Sequence, residues 1–373
     1  MTTVADLCVA MDTVAPRHLA AEWDHVGLLV GNSQWTAQKI LVCLEVLPEV
    51  LDEALAMSAD AIVSYHPILF QARQHITDAD PEGRILLSLM HHQIAVYSPH
   101  TAWDAVQGGL ADWLAEGIGS GVSHPLEPAA ILPEGMQFSI ITFVPQSDVE
   151  AVHEAMASCG AGRIGAYNAC STRIKCEGTF KPGEEANPTI GTIGQLEHVE
   201  ECRLQMVCSQ AVLADVLAAL RDTHPYDEPA LQVYEVQPEP SILHGGGRLL
   251  KLSTPTSLQS IITQLKSHLQ IDQVRVSEGI AASDSHTCAA CCPGAGGSML
   301  NAAAQSGATL FVTGEMRHHD LAAARQQGMT VILTGHAASE QAGLGRLVSK
   351  LETEIPSASI QLSSHAATPW TYR

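Results

Sequence analysis

Leu310-Phe311-Val312-Thr313-Gly314-Glu315-Met316-Arg317-His318-His319 is followed, after an alanine-rich stretch over 320–327, by Val331-Ile332-Leu333 and then His336-Ala337-Ala338-Ser339-Glu340. Residues 310–312 and 331–333 are short unbroken apolar runs, the pattern of strands buried on both faces. The stretch between them predicts a helix over 320–327. Strand, helix and strand in that order make the crossover unit of a parallel sheet. The residues able to do chemistry cluster where the two strands end. Ligands of open α/β sheets bind beyond the carboxyl ends of their strands.

The first third of the chain echoes this arrangement. A strand over 61–64 ends at Tyr65-His66-Pro67, and a helix leads to a strand over 94–97. His100-Thr101-Ala102-Trp103-Asp104 follows. Both stretches place a His-x-x-x-acid pair after a buried strand, at a helix start. Residues four apart share a helix face, roughly 5–6 Å between their Cβ atoms. Imidazole and carboxylate so placed can ligate one ion, or one can orient the other. A single such histidine reads as a cap or a half-buried polar residue. The joint set of His66, Asp104, His336 and Glu340 reads as a divalent metal site. His318 and His319 read as outer ligands or proton shuttles of the same cleft, or as plain helix-start residues. Glu315 lies at the same strand end.

Working outward, apolar residues at Val4, Leu7, Cys8 and Met11 have helical spacing, closed by Pro16. Residues 40–44 predict a strand and 48–57 a helix. A Pro- and Gly-rich loop is expected over about 117–135, after which the rhythm changes. Strands over 138–144, 172–180, 202–207 and 231–236 alternate with helices over 147–158 and 211–223. Strand-helix-strand-strand-helix-strand is the order of a ferredoxin-like unit. From His244-Gly245-Gly246-Gly247-Arg248 onward the first rhythm returns. The predicted fold class is α/β: a bipartite three-layer domain of two similar halves, 1–129 and 241–373, interrupted by a ferredoxin-like α+β insert at 130–240.

A length of 373 residues with 46% hydrophobic residues suits more than one core. The formal charge of −21 and the lack of any Lys/Arg run argue against direct nucleic-acid binding. The acidic balance can concentrate cations. No apolar run approaches the roughly 20 residues of a membrane span. The first residues lack the pattern of a signal peptide, so a cytoplasmic location with reduced thiols is expected for the ten cysteines. Cys288-x-x-Cys291-Cys292 has no second cysteine or histidine pair at usable spacing and reads as strand-end thiols. Pro293-Gly294-Ala295-Gly296-Gly297-Ser298 opens a helix over 299–305. It reads as a tight turn or as an anion-holding helix start, without a Walker lysine.

Several motifs, in order, resemble one family. Trp23-Asp24-His25-Val26-Gly27-Leu28 resembles its Trp-Asp-Asn-x-Gly-Leu signature, and Tyr65-His66-Pro67 its His-His-Pro signature. His100-Thr101 through Asp104, Gly314-Glu315 through His319, and Gly335-His336 through Glu340 resemble the rest. This is the family of GTP cyclohydrolase I type 2 homologues, the interacting-factor-three-like dinuclear metal proteins. Gly162-Arg163-Ile164-Gly165, Gly178-Thr179-Phe180 and His224-Pro225-Tyr226-Asp227-Glu228-Pro229 resemble the long bacterial members, which carry a PII/CutA-like insert. The resemblance implies a homohexamer with a two-metal site facing its interior. Carried over residue by residue, the ligands are His66, Asp104, His336 and Glu340, with Glu340 bridging. Tyr65 replaces the first histidine of the pair, and a phenol is a poor ligand at neutral pH, so one ion position is in doubt. His25 stands where asparagine is usual.

Two functions follow from this reading. The first is a metal-dependent hydrolase of a nucleotide or related heterocycle, with one or two Zn, Fe, Mn, Co or Ni ions per subunit. His100 or His319 would move protons in it. With GTP, the activated water would attack C8 of guanine. The alternative is a non-catalytic metal-binding, metal-carrier or regulatory assembly protein, which the insert and Tyr65 favour.

Overall fold

The structure, a computed structural model, describes residues 2–132, 135–280 and 282–365. Its strands, in chain order, are β1 (Gly27–Val30), β2 (Lys39–Cys43), β3 (Ala61–Ser64), β4 (Ala95–Ser98), β5 (Gly121–Ile131), β6 (Phe138–Pro145), β7 (Thr172–Phe180), β8 (Glu197–Cys208), β9 (Leu231–Glu235), β10 (Glu239–Ser257), β11 (Arg275–Ser277), β12 (Ser285–Ala295), β13 (Leu310–Glu315), β14 (Thr330–Leu333) and β15 (Ser359–Leu362). They form three sheets in a mixed α/β fold. The chain divides into two compact units, Met1–Ala129 with Ser241–Arg373, and Ala130–Pro240.

The first unit holds two sheets. One has the order β1-β4-β3-β2-β15, with β4, β3, β2 and β15 parallel and β1 antiparallel at the edge. The other has the order β11-β14-β13-β12-β10-β5. There β14, β13 and β12 run parallel, and β11 is again an antiparallel edge. The unbroken apolar runs belong to strands covered on both sides, and every residue of β3, β4 and β14 is buried. In the second sheet the faces separate with the period of two that a strand imposes. Ala289, Cys291, Leu310, Val312 and Ile332 pack on Leu114 and on Ile261 and Leu265 of the helix Leu258–Leu269. Ala290, Phe311, Val331 and Leu333 face the other way, onto Leu300, Ala303 and Ala324.

The second unit is one antiparallel sheet, β7-β8-β6-β9. The helices Val149–Ser158 and Leu213–Thr223 pack their apolar stripes on it through Val152, Met156, Val216 and Leu220.

One expectation fails. The loop expected over 117–135 contains β5, an edge strand of the second sheet. Pro125 and Pro128 lie within it. Proline cannot donate to a ladder, but an edge strand has a free side where that loss costs little.

Candidate metal centre

Three of the sequence-predicted residues converge in the first unit. His66 follows β3, and His336 and Glu340 lie on the short helix His336–Gln341 after β14. One ligand atom from each of His66, His336 and Glu340 falls within 4.8 Å of the other two. Among the described residues this is the group of histidines, cysteines and carboxylates that could hold a metal ion.

The orientation of the two imidazoles is fixed from behind. His66 Nδ1 lies 3.1 Å from Glu45 Oε1, and His336 Nδ1 lies 3.0 Å from Glu315 Oε1. Each carboxylate sits at or just past the end of the preceding parallel strand, and each precedes its histidine by 21 positions. With Nδ1 held, Nε2 of both rings is aimed inward, 3.3 and 3.4 Å from the two oxygens of Glu340. Glu340 is buried, and its Oε2 receives no aligned hydrogen bond. A buried carboxylate oxygen without a donor is costly. Two imidazole nitrogens and a carboxylate converging on a common point suit a divalent transition-metal ion, and carboxylates behind the rings are the usual support of metal-binding histidines. Without such an ion, burial would pull the His66 pKa down, but Glu340 and Glu45 outweigh it and push it up to about 9.

Backbone shape completes the cradle. Gly294, with φ +62°, comes so close that a Cβ there would stand 2.5 Å from Glu340 Oε1 and 3.3 Å from His336 Nε2. Its N–H donates to Ser339 Oγ at 2.8 Å, and that hydroxyl donates to the carbonyl of His336 at 2.7 Å. Gly294 thus sits at the end of β12, where the pairing with β13 shifts register between Cys292 and Ala295, and its bare backbone leaves room for the ligand pair. Cys292 is close by, but burial first, and then Asp104 and neighbouring groups, hold its thiol well above the usual range. It stays a protonated thiol.

Asp104 lies beside the three converging groups, on the helix His100–Ala105. Its Oδ1 accepts the phenolic hydrogen of the buried Tyr65 at 2.7 Å. Burial raises the Asp104 pKa to about 6, with the Tyr65 bond opposing the rise and Glu340 adding to it. His100 opens that helix with φ +29°, a conformation non-glycine residues rarely adopt. Its ring packs edge-on against Tyr65 and His66 at 5.5 Å, and its Nδ1 is 2.9 Å from Asp24 Oδ2. Thr101 donates to the same oxygen at 2.5 Å. His319 stands elsewhere, exposed on the helix His318–Gln326 and edge-on to His318. His25 is exposed, while its neighbour Asp24 carries the contact.

A family model, Duf34/NIF3 (NGG1p interacting factor 3), matches residues 2–369. The chain belongs to the Duf34/NIF3 family. A Listeria innocua relative called GTP cyclohydrolase 1 type 2 homolog is 32% identical over 345 residues, covering 92% of this chain and 91% of its own. One of the same name from Bacillus subtilis is 33% identical, covering 87% and 86%. Rat NIF3-like protein 1 is 31% identical, covering 94% and 87%. Among solved structures, a Bacillus cereus protein related to NIF3 aligns with TM-score 0.69 and 28% identity, over 98% of this chain and 97% of that one. Staphylococcus aureus SA1388 shares the fold with TM-score 0.81 at 23% identity, over 100% and 99%.

Within this NIF3 chain, Glu45, Asp24 and Gly294 are the site residues that sequence reasoning passed over as such. Asp24 and Gly294 lay inside motifs already singled out. Glu45 had only one signal, its place one residue past a predicted buried strand.

Proposed function

We propose that the chain holds a divalent transition-metal ion through His66, His336 and Glu340 and uses it to hydrolyse a nucleotide or related heterocycle. The observation that carries this is the pair of imidazoles aimed by Glu45 and Glu315 onto the two oxygens of one buried carboxylate. Held by His66, His336 and Glu340, such an ion would supply a water activated near neutral pH. Glu340 balances the positive charge. Asp104, with its pKa near 6, can accept a proton at neutral pH, and Tyr65 holds it in place. His100, set among the rings of Tyr65 and His66, is the proton carrier in this reading rather than the exposed His319. The substrate class comes from the name the relatives carry.

The finer architecture is read in the same spirit. Two sheets, one with four and one with three parallel strands beside an antiparallel edge strand, support the two-halves reading of 1–129 and 241–373. The order β7-β8-β6-β9 supports a ferredoxin-like insert at 130–240. A homohexamer and a cytoplasmic location remain part of the proposal. Among the described residues no helix is long and apolar enough to cross a membrane.

One observation favours a second reading. Tyr65 occupies Asp104, so a second ion would find one carboxylate oxygen already engaged. That suits a metal-holding or regulatory protein. Metal counted per chain, with formate release followed during incubation with GTP, separates the two. Stoichiometric metal with unchanged GTP, and with no other nucleotide consumed, would end the hydrolase reading and leave the second.

A further inference from the structure

The second unit contains a cavity of about 530 Å³ that the metal chemistry does not use. This lies within the range of small-molecule sites, roughly 300–1,000 Å³. Phe143, Phe180 and Tyr226 contribute aromatic surface to its lining, and Glu201, Asp227 and Glu228 contribute carboxylates. Tyr226 to Glu228 belong to the His224-Pro225-Tyr226-Asp227-Glu228-Pro229 motif, which the metal centre leaves unexplained.

Glu201 is the buried carboxylate of this lining. It is 6% exposed, although it stands on a sheet surface where a charged side chain would ordinarily reach for water. Its Oε1 accepts the phenolic hydrogen of Tyr226 at 2.8 Å. Among the interactions of the described residues, Oε2 takes no hydrogen bond, while Oε1 has Tyr226. The carboxylate lies against Gly178 on the neighbouring strand, where a Cβ would stand 2.2 Å from Oε2. Gly178 needs no unusual φ, so its lack of a side chain serves space alone. His224 fixes the turn from behind, with Nε2 3.0 Å from the Phe143 carbonyl and Nδ1 accepting the Tyr226 N–H at 3.1 Å. Phe180 packs edge-on against Tyr226 at 5.5 Å.

The lining sets four carboxylates, Glu177, Glu201, Asp227 and Glu228, against one exposed ammonium, Lys181, so negative charge is left unbalanced beside the aromatic rings. Among the described residues no three metal-binding side chains converge here as they do at His66, His336 and Glu340. We infer that this cavity binds a small organic cation, an amine or guanidinium carrying an apolar or planar body. Its charged end takes a hydrogen bond to Glu201 Oε2, and its body lies against Phe143, Phe180 and Tyr226.

Titration calorimetry of the full chain with phenethylamine tests this, with 2-phenylethanol as the neutral isostere and phenylacetate as the anion. Phenethylamine is expected to bind saturably and at least ten-fold tighter than either comparator. Glu201→Gln, which keeps shape and can still accept from Tyr226, should weaken it ten-fold or more. Glu340→Ala should leave it unchanged, which separates this site from the metal centre. No saturation by phenethylamine, equal binding of 2-phenylethanol, or an unaffected Glu201→Gln would each overturn the inference. Gly178→Val should abolish binding, and Glu201→Gln keeps the test decisive if that variant fails to fold.

Discussion

Tyr65 donates its phenolic hydrogen to Asp104 Oδ1 at 2.7 Å, from a position that is 1% exposed. Where the motif resemblance implies a histidine, Tyr65 instead turns the potential ligand Asp104 into one half of a hydrogen bond. Burial and the nearby carboxylates hold the phenol well above its usual pKa, so it remains a donor and not a ligand. Tyr65→His should therefore raise the metal content per chain above that of the parent, as read by elemental mass spectrometry. An unchanged count would mean that Tyr65 does not decide the second position. Tyr65→Phe should instead cost about 1–3 kcal/mol of unfolding free energy, by leaving Asp104 short of a donor.

Glu45 and Glu315 touch no ion in the proposed centre, yet each holds an imidazole Nδ1. Glu45→Gln and Glu315→Gln should each lower metal affinity by about 10–100-fold, the usual cost of losing such a support. Glu340→Gln should cost more, because it removes a ligand charge. Competition with a chromophoric chelator at fixed pH ranks the three. Equal losses for all, or none for the two outer residues, would show that the rings are aimed by something else.

Much of this was legible in the chain before any coordinates. The apolar runs at β2, β3, β4, β13 and β14 announce themselves because a strand covered on both faces has no polar face to show. Their ends then located His66, His336 and Glu340. β5 was hidden because its prolines read as loop, and only the place at a sheet edge makes them tolerable. Glu45 and His66 are 21 residues apart, and Asp24 meets Thr101 across 77. The first pair exists only once parallel β2 and β3 lie side by side, the second only once β1 pairs antiparallel with β4, and no local spacing encodes either. Gly294 was visible as a turn residue, but the reason for its missing side chain is a carboxylate 46 positions later.

Gly294→Ala tests that reason. The added methyl would meet Glu340 Oε1 at 2.5 Å, in a backbone conformation that L side chains rarely adopt. The variant should lose about 1–3 kcal/mol of stability, the typical cost of overpacking a tight site, and should bind metal more weakly. Gly307→Ala is the control, since its φ of +79° is also positive but nothing stands within 4 Å of a Cβ there. Gly307→Ala should lose stability alone. A Gly294→Ala variant with full metal affinity would remove Gly294 from the site.

Arg248 and Asp112 give the pH dependence. Arg248 is 1% exposed, and its Nε and Nη2 donate to the two oxygens of Asp112 at 2.7 and 2.9 Å. Its other donors reach the carbonyls of Ala105, Val106, Gly245 and Gly247, joining the segment after the Asp104 helix to β10. Burial would raise the Asp112 pKa, but the Arg248 guanidinium outweighs it and holds it below the ordinary 3.8. A folded pKa below the unfolded one means stability that is present above about pH 4 and lost as pH falls through the lower folded value. Arg248→Met should cost about 3–5 kcal/mol near pH 7, because it takes the guanidinium away from a largely buried carboxylate and from four carbonyls. Asp112→Asn should be destabilised less, and its deficit against the parent should shrink as pH falls below 4, where the parent loses the same charge. Urea unfolding of the parent and both variants between pH 3 and 7 reads this directly. A deficit for Asp112→Asn that stays constant across that range would show that the ion pair is not what the acid removes.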